Sequence, residues 1–209
     1  MGEHLLWTSR ATTGTFARLV LAEAGIAHAT RFVSLREGEH RQSEFLAINP
    51  KGQVPTLVLA DGTVLTENIA IALWAGQAAP RSGLIPPDPL GAARTVEWLS
   101  WAVCTIVSAW QPAFLPARFT DGGEAAEAAV ASRSRARAAE ALAIPEQALA
   151  GRDTLQGGAP TAADLMLMFM TTVADRVGLL GQRPNLSAHR ARLAARPAVA
   201  AVLADEGLA

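Results

Sequence analysis

Two neighbouring stretches carry the residue types best suited to holding a small polar ligand through the main chain. The first reads Asn49-Pro50-Lys51-Gly52-Gln53-Val54-Pro55-Thr56-Leu57, and the second Asp61-Gly62-Thr63-Val64-Leu65-Thr66-Glu67-Asn68. A proline at the mouth of a strand cannot donate a ladder hydrogen bond, so Pro55 calls for a special reason. A cis Val54–Pro55 bond is one such reason. It would aim the amide and carbonyl of Val54 away from the sheet, free to pair with an extended peptide ligand. At Thr66-Glu67-Asn68 a helix begins, and its first amides and positive dipole end suit a carboxylate.

The elements around these stretches follow from hydrophobic periodicity. His4–Thr8 reads as a strand and Thr13–Ala24 as a helix, with Phe16, Leu19, Val20 and Ala24 at helical spacing and Gly25 as its stop. Thr30–Ser34 is a second strand, so strand, helix and strand imply a parallel βαβ unit. After a polar segment, Leu35–Ser43, a short helix is expected near Glu44–Ala47. Thr56–Ala60 and Val64–Thr66 pair around Asp61-Gly62, a hairpin signal, and Glu67–Ala78 closes the set as a helix. The order βαβαββα is that of a thioredoxin-like α/β domain, residues 1–79. Residues 80–90, with Pro80, Pro86, Pro87 and Pro89, read as a linker.

Beyond it the strand signals vanish, and residues 91–209 read as an all-α domain. Leu90–Trp110 is apolar at helical spacing and is expected to break at Pro112 and Pro116. Asp121–Ala150 reads as a long solvent-facing helix kinked at Pro145. Thr161-Ala162-Ala163-Asp164 has the spacing of a capping-box variant, opening an apolar helix over Leu165–Val177. Asn185–Ala195 and Pro197–Asp205 are two further helices, the last with proline in its first turn.

Half of the 209 residues are apolar and 18% charged, with a formal net charge of −1. That balance offers no general attraction for nucleic acid or an anionic membrane. No run of 18 apolar residues and no signal-like N-terminus is present, and a cytoplasmic location is expected. One cysteine, Cys104, excludes an internal disulfide and a CxxC redox pair; at its apolar spacing it reads as a small buried hydrophobe. His4, His28, His40 and His189 lack metal-ligand spacing, so no metal is expected. There is no tyrosine.

The Asn-Pro-Lys-Gly-Gln-Val-Pro stretch with its downstream Thr-Glu-Asn resembles the glutathione site of the cytosolic glutathione transferase family. Thr95-Val96-Glu97-Trp98-Leu99, Arg196-Pro197-Ala198-Val199 and Asp205-Glu206-Gly207-Leu208 resemble the bacterial beta-type group within it. The resemblance implies a homodimer in which glutathione, as co-substrate, is held between two domains and its thiolate is transferred to an electrophilic, apolar substrate. Peroxide reduction, isomerisation, and a binding or interaction module without turnover stay open beside that reading.

Such enzymes need a group that favours the thiolate, because a free thiol ionises near pH ~8.5. The family places it just after the first strand, where this chain reads Thr8-Ser9-Arg10-Ala11-Thr12-Thr13-Gly14-Thr15. Thr13 falls where beta-type proteins carry cysteine, and Gly14 where theta-like proteins carry serine. Thr13 is therefore the leading candidate, by hydroxyl or backbone N–H, with Thr12 and Ser9 as alternates; plain helix capping is the competing role. Val107 stands where beta-type proteins carry a histidine. The resemblance further assigns Val54, Pro55, Glu67 and Asn68 to glutathione, with Gln53, Lys51 and Arg36 bordering it. Trp101 and Trp110 are candidates to line the pocket for the second substrate, and Ser100 aligns with a polar residue that reaches across the dimer.

Overall fold

The computed structural model describes residues 2–209. Four strands form one mixed sheet in the order β2-β1-β3-β4: β1 His4–Thr8, β2 His28–Phe32, β3 Thr56–Val58 and β4 Val64–Thr66. β1 pairs parallel with β2 and antiparallel with β3, which pairs antiparallel with β4. The expected second strand lies two residues earlier than the pattern suggested. Helices α1 (Gly14–Glu23), α2 (Ser43–Ile48) and α3 (Asn68–Ala78) complete the βαβαββα order. The thioredoxin-like reading of this half therefore holds.

As an inner strand β1 buries Leu6, Trp7 and Thr8. Phe16, Leu19 and Val20 of α1 and Ile71, Ala72 and Ala75 of α3 are fully buried around it. Gly25 ends α1 at φ +66°, the left-handed conformation expected of it. In α3, Gly76 allows a close approach: a Cβ there would stand 2.4 Å from Ile85 Cγ1.

Seven further helices follow: α4 Pro89–Trp101, α5 Ser108–Phe114, α6 Gly123–Ala141, α7 Ala143–Ala148, α8 Ala162–Arg176, α9 Pro184–Ala194 and α10 Pro197–Asp205. Between α4 and α5, Ala102–Val107 winds as a π-helix. Its i→i+5 pattern slips the helical face by a residue, and Cys104 is exposed rather than buried. Pro112 does not break the helix: it sits inside α5, which closes at Leu115, where the N–H donates to Gln111 O at 2.8 Å. The expected long helix is interrupted ahead of Pro145, after Ala141. Ala141 is four residues before the proline, the carbonyl its ring displaces.

α8 is apolar on every side and buried along almost its whole length. Its start is fixed as expected, with Thr161 N–H and Oγ1 both donating to Asp164 Oδ2, at 2.9 and 3.1 Å. The other carboxylate oxygen of Asp164 accepts from Leu155 N at 2.8 Å and meets His189 Nε2 at 3.0 Å. By packing, the chain up to Ala92 together with Leu193–Ala209 forms one compact unit, and Ala93–Arg192 the other. The last helix, expected with the helical half, thus groups with the sheet, where it packs on α1.

Candidate active site

Strand register brings the candidate segments of the first unit to one end of the sheet. Trp7 is opposite Thr56, and Thr56 is opposite Thr66. The C-terminal end of β1, the N-terminal end of β3 and the C-terminal end of β4 are therefore side by side. From them emerge the loop to α1 with Ser9, Thr12 and Thr13, the Gln53-Val54-Pro55 step, and Glu67-Asn68. Adjacent strands lie about 4.8 Å apart, so these three strand ends span about 10 Å, the scale of a short extended peptide.

The Val54–Pro55 bond is cis. Neither the N–H nor the C=O of Val54 has a hydrogen-bond partner among the described residues. Asn49 builds this loop: it is 2% exposed, and its Nδ2 donates to Gln53 O at 2.8 Å and to Thr56 Oγ1 at 2.9 Å. Its Oδ1 accepts from Lys51 N at 3.1 Å. The sequence signal for that role was the Asn-Pro pair itself, since Asn side chains close such turns on their own backbone. Gln53 is exposed.

Glu67 is a non-glycine residue at φ +72°, held just before the first turn of α3. Such backbone costs of order 1–3 kcal/mol and persists where the surroundings impose it. Its carboxylate is exposed and takes a 2.7 Å ion pair from Lys51 Nζ, which also donates to Thr66 Oγ1 at 2.8 Å. Lys51 thus reaches across to the end of β4. Next to it, Asn68 opens α3 with its Oδ1 buried and unpartnered. Arg36 is exposed. Arg41, which the sequence did not single out, lies against the loop: a Cβ on Gly52 (φ +60°) would meet its Nη1 at 2.8 Å.

At the start of α1 the two threonines divide the work. Thr12 Oγ1 donates to Ser9 O at 2.7 Å and accepts from Gly14 N at 3.2 Å, so Thr12 is the capping hydroxyl. Thr13 is half-buried and makes no side-chain cap bond. Its N–H also has no partner among the described residues. The loop is fastened from α10, a feature the sequence reading missed. Glu206, with a fully buried carboxylate, accepts from Ala11 N at 2.7 Å, Thr15 Oγ1 at 3.2 Å and Arg18 Nη1 at 2.7 Å. Asp205 pairs with Arg18 at 2.8 Å and Arg10 at 3.3 Å. Hydrogen bonding from Arg18, then from Arg10, holds the Asp205 carboxyl below the usual carboxylate range. Arg10 and Arg18 also stand over the Phe32 ring, at 3.8 and 5.0 Å from its centroid.

In the second unit Trp101 is half-buried, edge-on to Trp98 at 5.4 Å. Trp110 is 6% exposed, packed against Phe114, and its Nε1 lacks a partner. Among the described residues no group of three or more His, Cys, Asp or Glu side chains is placed to hold a metal, and no helix is long and apolar enough to cross a membrane.

A thioredoxin-like sheet unit followed by a helical unit, with a ligand-ready edge at one end of the sheet, defines a class that comparison makes specific. The glutathione S-transferase N-terminal domain model matches residues 16–78, and the corresponding C-terminal domain model matches residues 104–197. Glutathione S-transferase GstA of Escherichia coli O157:H7 is 34% identical over 167 residues, covering 79% of each chain. A maleylacetoacetate isomerase of Pseudomonas aeruginosa is 29% identical over 172 residues, 81% of this chain and 80% of its own. Among solved structures, a sphingomonad glutathione S-transferase complexed with glutathione has a TM-score of 0.82 and 34% identity, covering 98% of this chain and all of its own. A Sulfitobacter glutathione transferase homologue with bound glutathione superposes over both full chains with a TM-score of 0.91 at 25% identity. The chain belongs to the glutathione S-transferase family.

Proposed function

We propose that this protein binds glutathione along the end of its sheet and transfers the glutathione thiolate to an electrophilic, apolar substrate. The observation that carries the reading is that three segments leaving neighbouring strand ends each hold unsatisfied polar groups: the Thr13 N–H and hydroxyl, the Val54 amide and carbonyl, and the Asn68 Oδ1 at the start of α3. In this reading Val54 pairs in antiparallel fashion with the cysteinyl backbone of the tripeptide, and Pro55 holds that geometry. Glu67 takes the γ-glutamyl ammonium while its other face is neutralised by Lys51, and Asn68 with the first amides of α3 takes the γ-glutamyl carboxylate. Arg41, whose guanidinium lies beside Gly52, takes the glycine carboxylate together with the neutral Gln53 amide; Arg36 supplies longer-range positive charge.

The thiolate is held by Thr13. Two donors and the positive end of α1 favour the ionised sulfur, which is the nucleophile. With no cysteine at this position, a mixed disulfide with the enzyme is not part of the cycle. Trp101 and Trp110 are proposed to contribute apolar surface for the electrophile. A cytoplasmic homodimer with a detoxifying role completes the proposal.

Turnover of a nitroaryl chloride by the protein with reduced glutathione tests it. Conjugation that falls in Thr13→Ala supports the assignment. Saturable glutathione binding without conjugation, peroxide reduction or isomerisation by any tested substrate would leave a binding module instead.

A further inference from the structure

Gly14 is the first residue of α1 and has no left-handed backbone that would demand glycine. Glycine is a poor helix former, so another reason must keep it there. That reason is space. A Cβ at position 14 would stand 2.3 Å from Thr8 Oγ1 and 3.4 Å from Thr8 Cβ and Thr12 Oγ1. The start of α1 therefore rests directly on the hydroxyl at the end of β1. Thr8 is fully buried, and its Oγ1 has no hydrogen-bond partner. A buried hydroxyl without a partner is unfavourable, and an apolar side chain of the same shape would avoid that cost. The hydroxyl and the missing side chain fit one another across the junction where the strand ends and the donor loop meets its helix.

We propose that Thr8 and Gly14 are a positioning pair for the thiolate donor. Their contact sets the height of the α1 start over the sheet, and with it the place of the Thr13 N–H and hydroxyl relative to Val54, just ahead of the neighbouring strand β3. It also rules out a side-chain donor at residue 14, because the Cβ direction there points into the buried Thr8 hydroxyl. The proposal rests on the transferase reading above. Thr8 itself touches no substrate and acts through the backbone of residues 12–14.

The test compares Gly14→Ala, Thr8→Ala and the double variant with the unaltered protein. Three readouts are taken: melting temperature, calorimetric binding of reduced glutathione, and the pH at which kcat/KM for a nitroaryl chloride falls to half on the acid side. Gly14→Ala is expected to lower the melting temperature by about 2–12 °C, the range for overpacking a protein of this size. It is also expected to move the half-point upward, toward the free thiol value near ~8.5. In the double variant both changes are reversed by more than half, because the obstructing oxygen is gone. A half-point unmoved in Gly14→Ala, or a double variant as impaired as the single one, overturns the pair. Should Gly14→Ala fail to fold, a double variant that folds with a restored half-point supports it, and failure of both overturns it. Absence of glutathione binding by the unaltered protein defeats the transferase reading and this proposal together. Binding with an unmoved half-point defeats the proposal alone.

Discussion

A hydroxyl at a helix start can satisfy the helix's own amides or stay free for another partner, and the loop before α1 has one engaged threonine and one free one. Thr12 is committed to Ser9 O and Gly14 N, whereas the Thr13 hydroxyl and N–H are not. Thr12→Ala should therefore cost about 0.5–2 kcal/mol of stability, the usual value of an N-cap. Thr13→Ala should leave the unfolding midpoint nearly unchanged. A hydrogen bond to a charged group is worth about 1.5–3 kcal/mol, so Thr13→Ala should lower kcat/KM near neutral pH by about 10- to 100-fold. The loss should shrink at alkaline pH, where the thiol ionises unaided. Equal effects of the two substitutions on stability and on rate would contradict this division of labour. That Thr13 was a candidate was legible in the sequence. The separation of the two roles was not, because neighbouring threonines look alike until their hydroxyls have partners.

At the level of elements, α10 fastens α1 and the donor loop from nearly the other end of the chain. Removing the Glu206 carboxylate takes the acceptor from the Ala11 amide and the buried Thr15 hydroxyl, and leaves Arg18, 12% exposed, with its Asp205 ion pair alone. Glu206→Ala should cost about 1–3 kcal/mol, the scale for leaving a buried donor without its acceptor, as measured by denaturant unfolding. Asp205 adds a pH dependence. Its carboxyl is held below the usual range by Arg18 and Arg10, so its contribution is present above the unfolded value near ~3.9 and is lost as the pH falls through the lower folded value. The unaltered protein should thus lose more melting temperature than Asp205→Asn on acidification from about pH 5 into that range; parallel curves would refute the coupling. Asp205-Glu206 stood out in the sequence only by resemblance. Their partners lie some 190 residues away, beyond the reach of periodicity or capping rules. The π-helix at Ala102–Val107 escaped for a related reason: an i→i+5 turn leaves no local pattern that an apolar helix would not also show.

For the whole molecule, the order of elements in the sheet unit, the hairpin around Asp61-Gly62 and the capped α8 were readable, because each rests on spacing or on a turn residue with one physical use. The grouping of α10 with the sheet unit was not, since helices signal which face is apolar but not what covers it. The residues proposed to hold glutathione were legible as a motif, and strand register then supplies what a motif cannot: the segments that carry Thr13, Val54 and Glu67 leave one end of the sheet. The proposed homodimer predicts a solution mass twice that of the chain by analytical ultracentrifugation, and a single-chain mass would remove that part of the proposal. Calorimetric titration of the purified protein with reduced glutathione at neutral pH bears most directly on the account. Saturable binding that is weakened by replacing Glu67 with Ala is the predicted result. No binding heat, repeated at a second temperature to exclude a vanishing enthalpy, would contradict the assignment of this sheet end to glutathione.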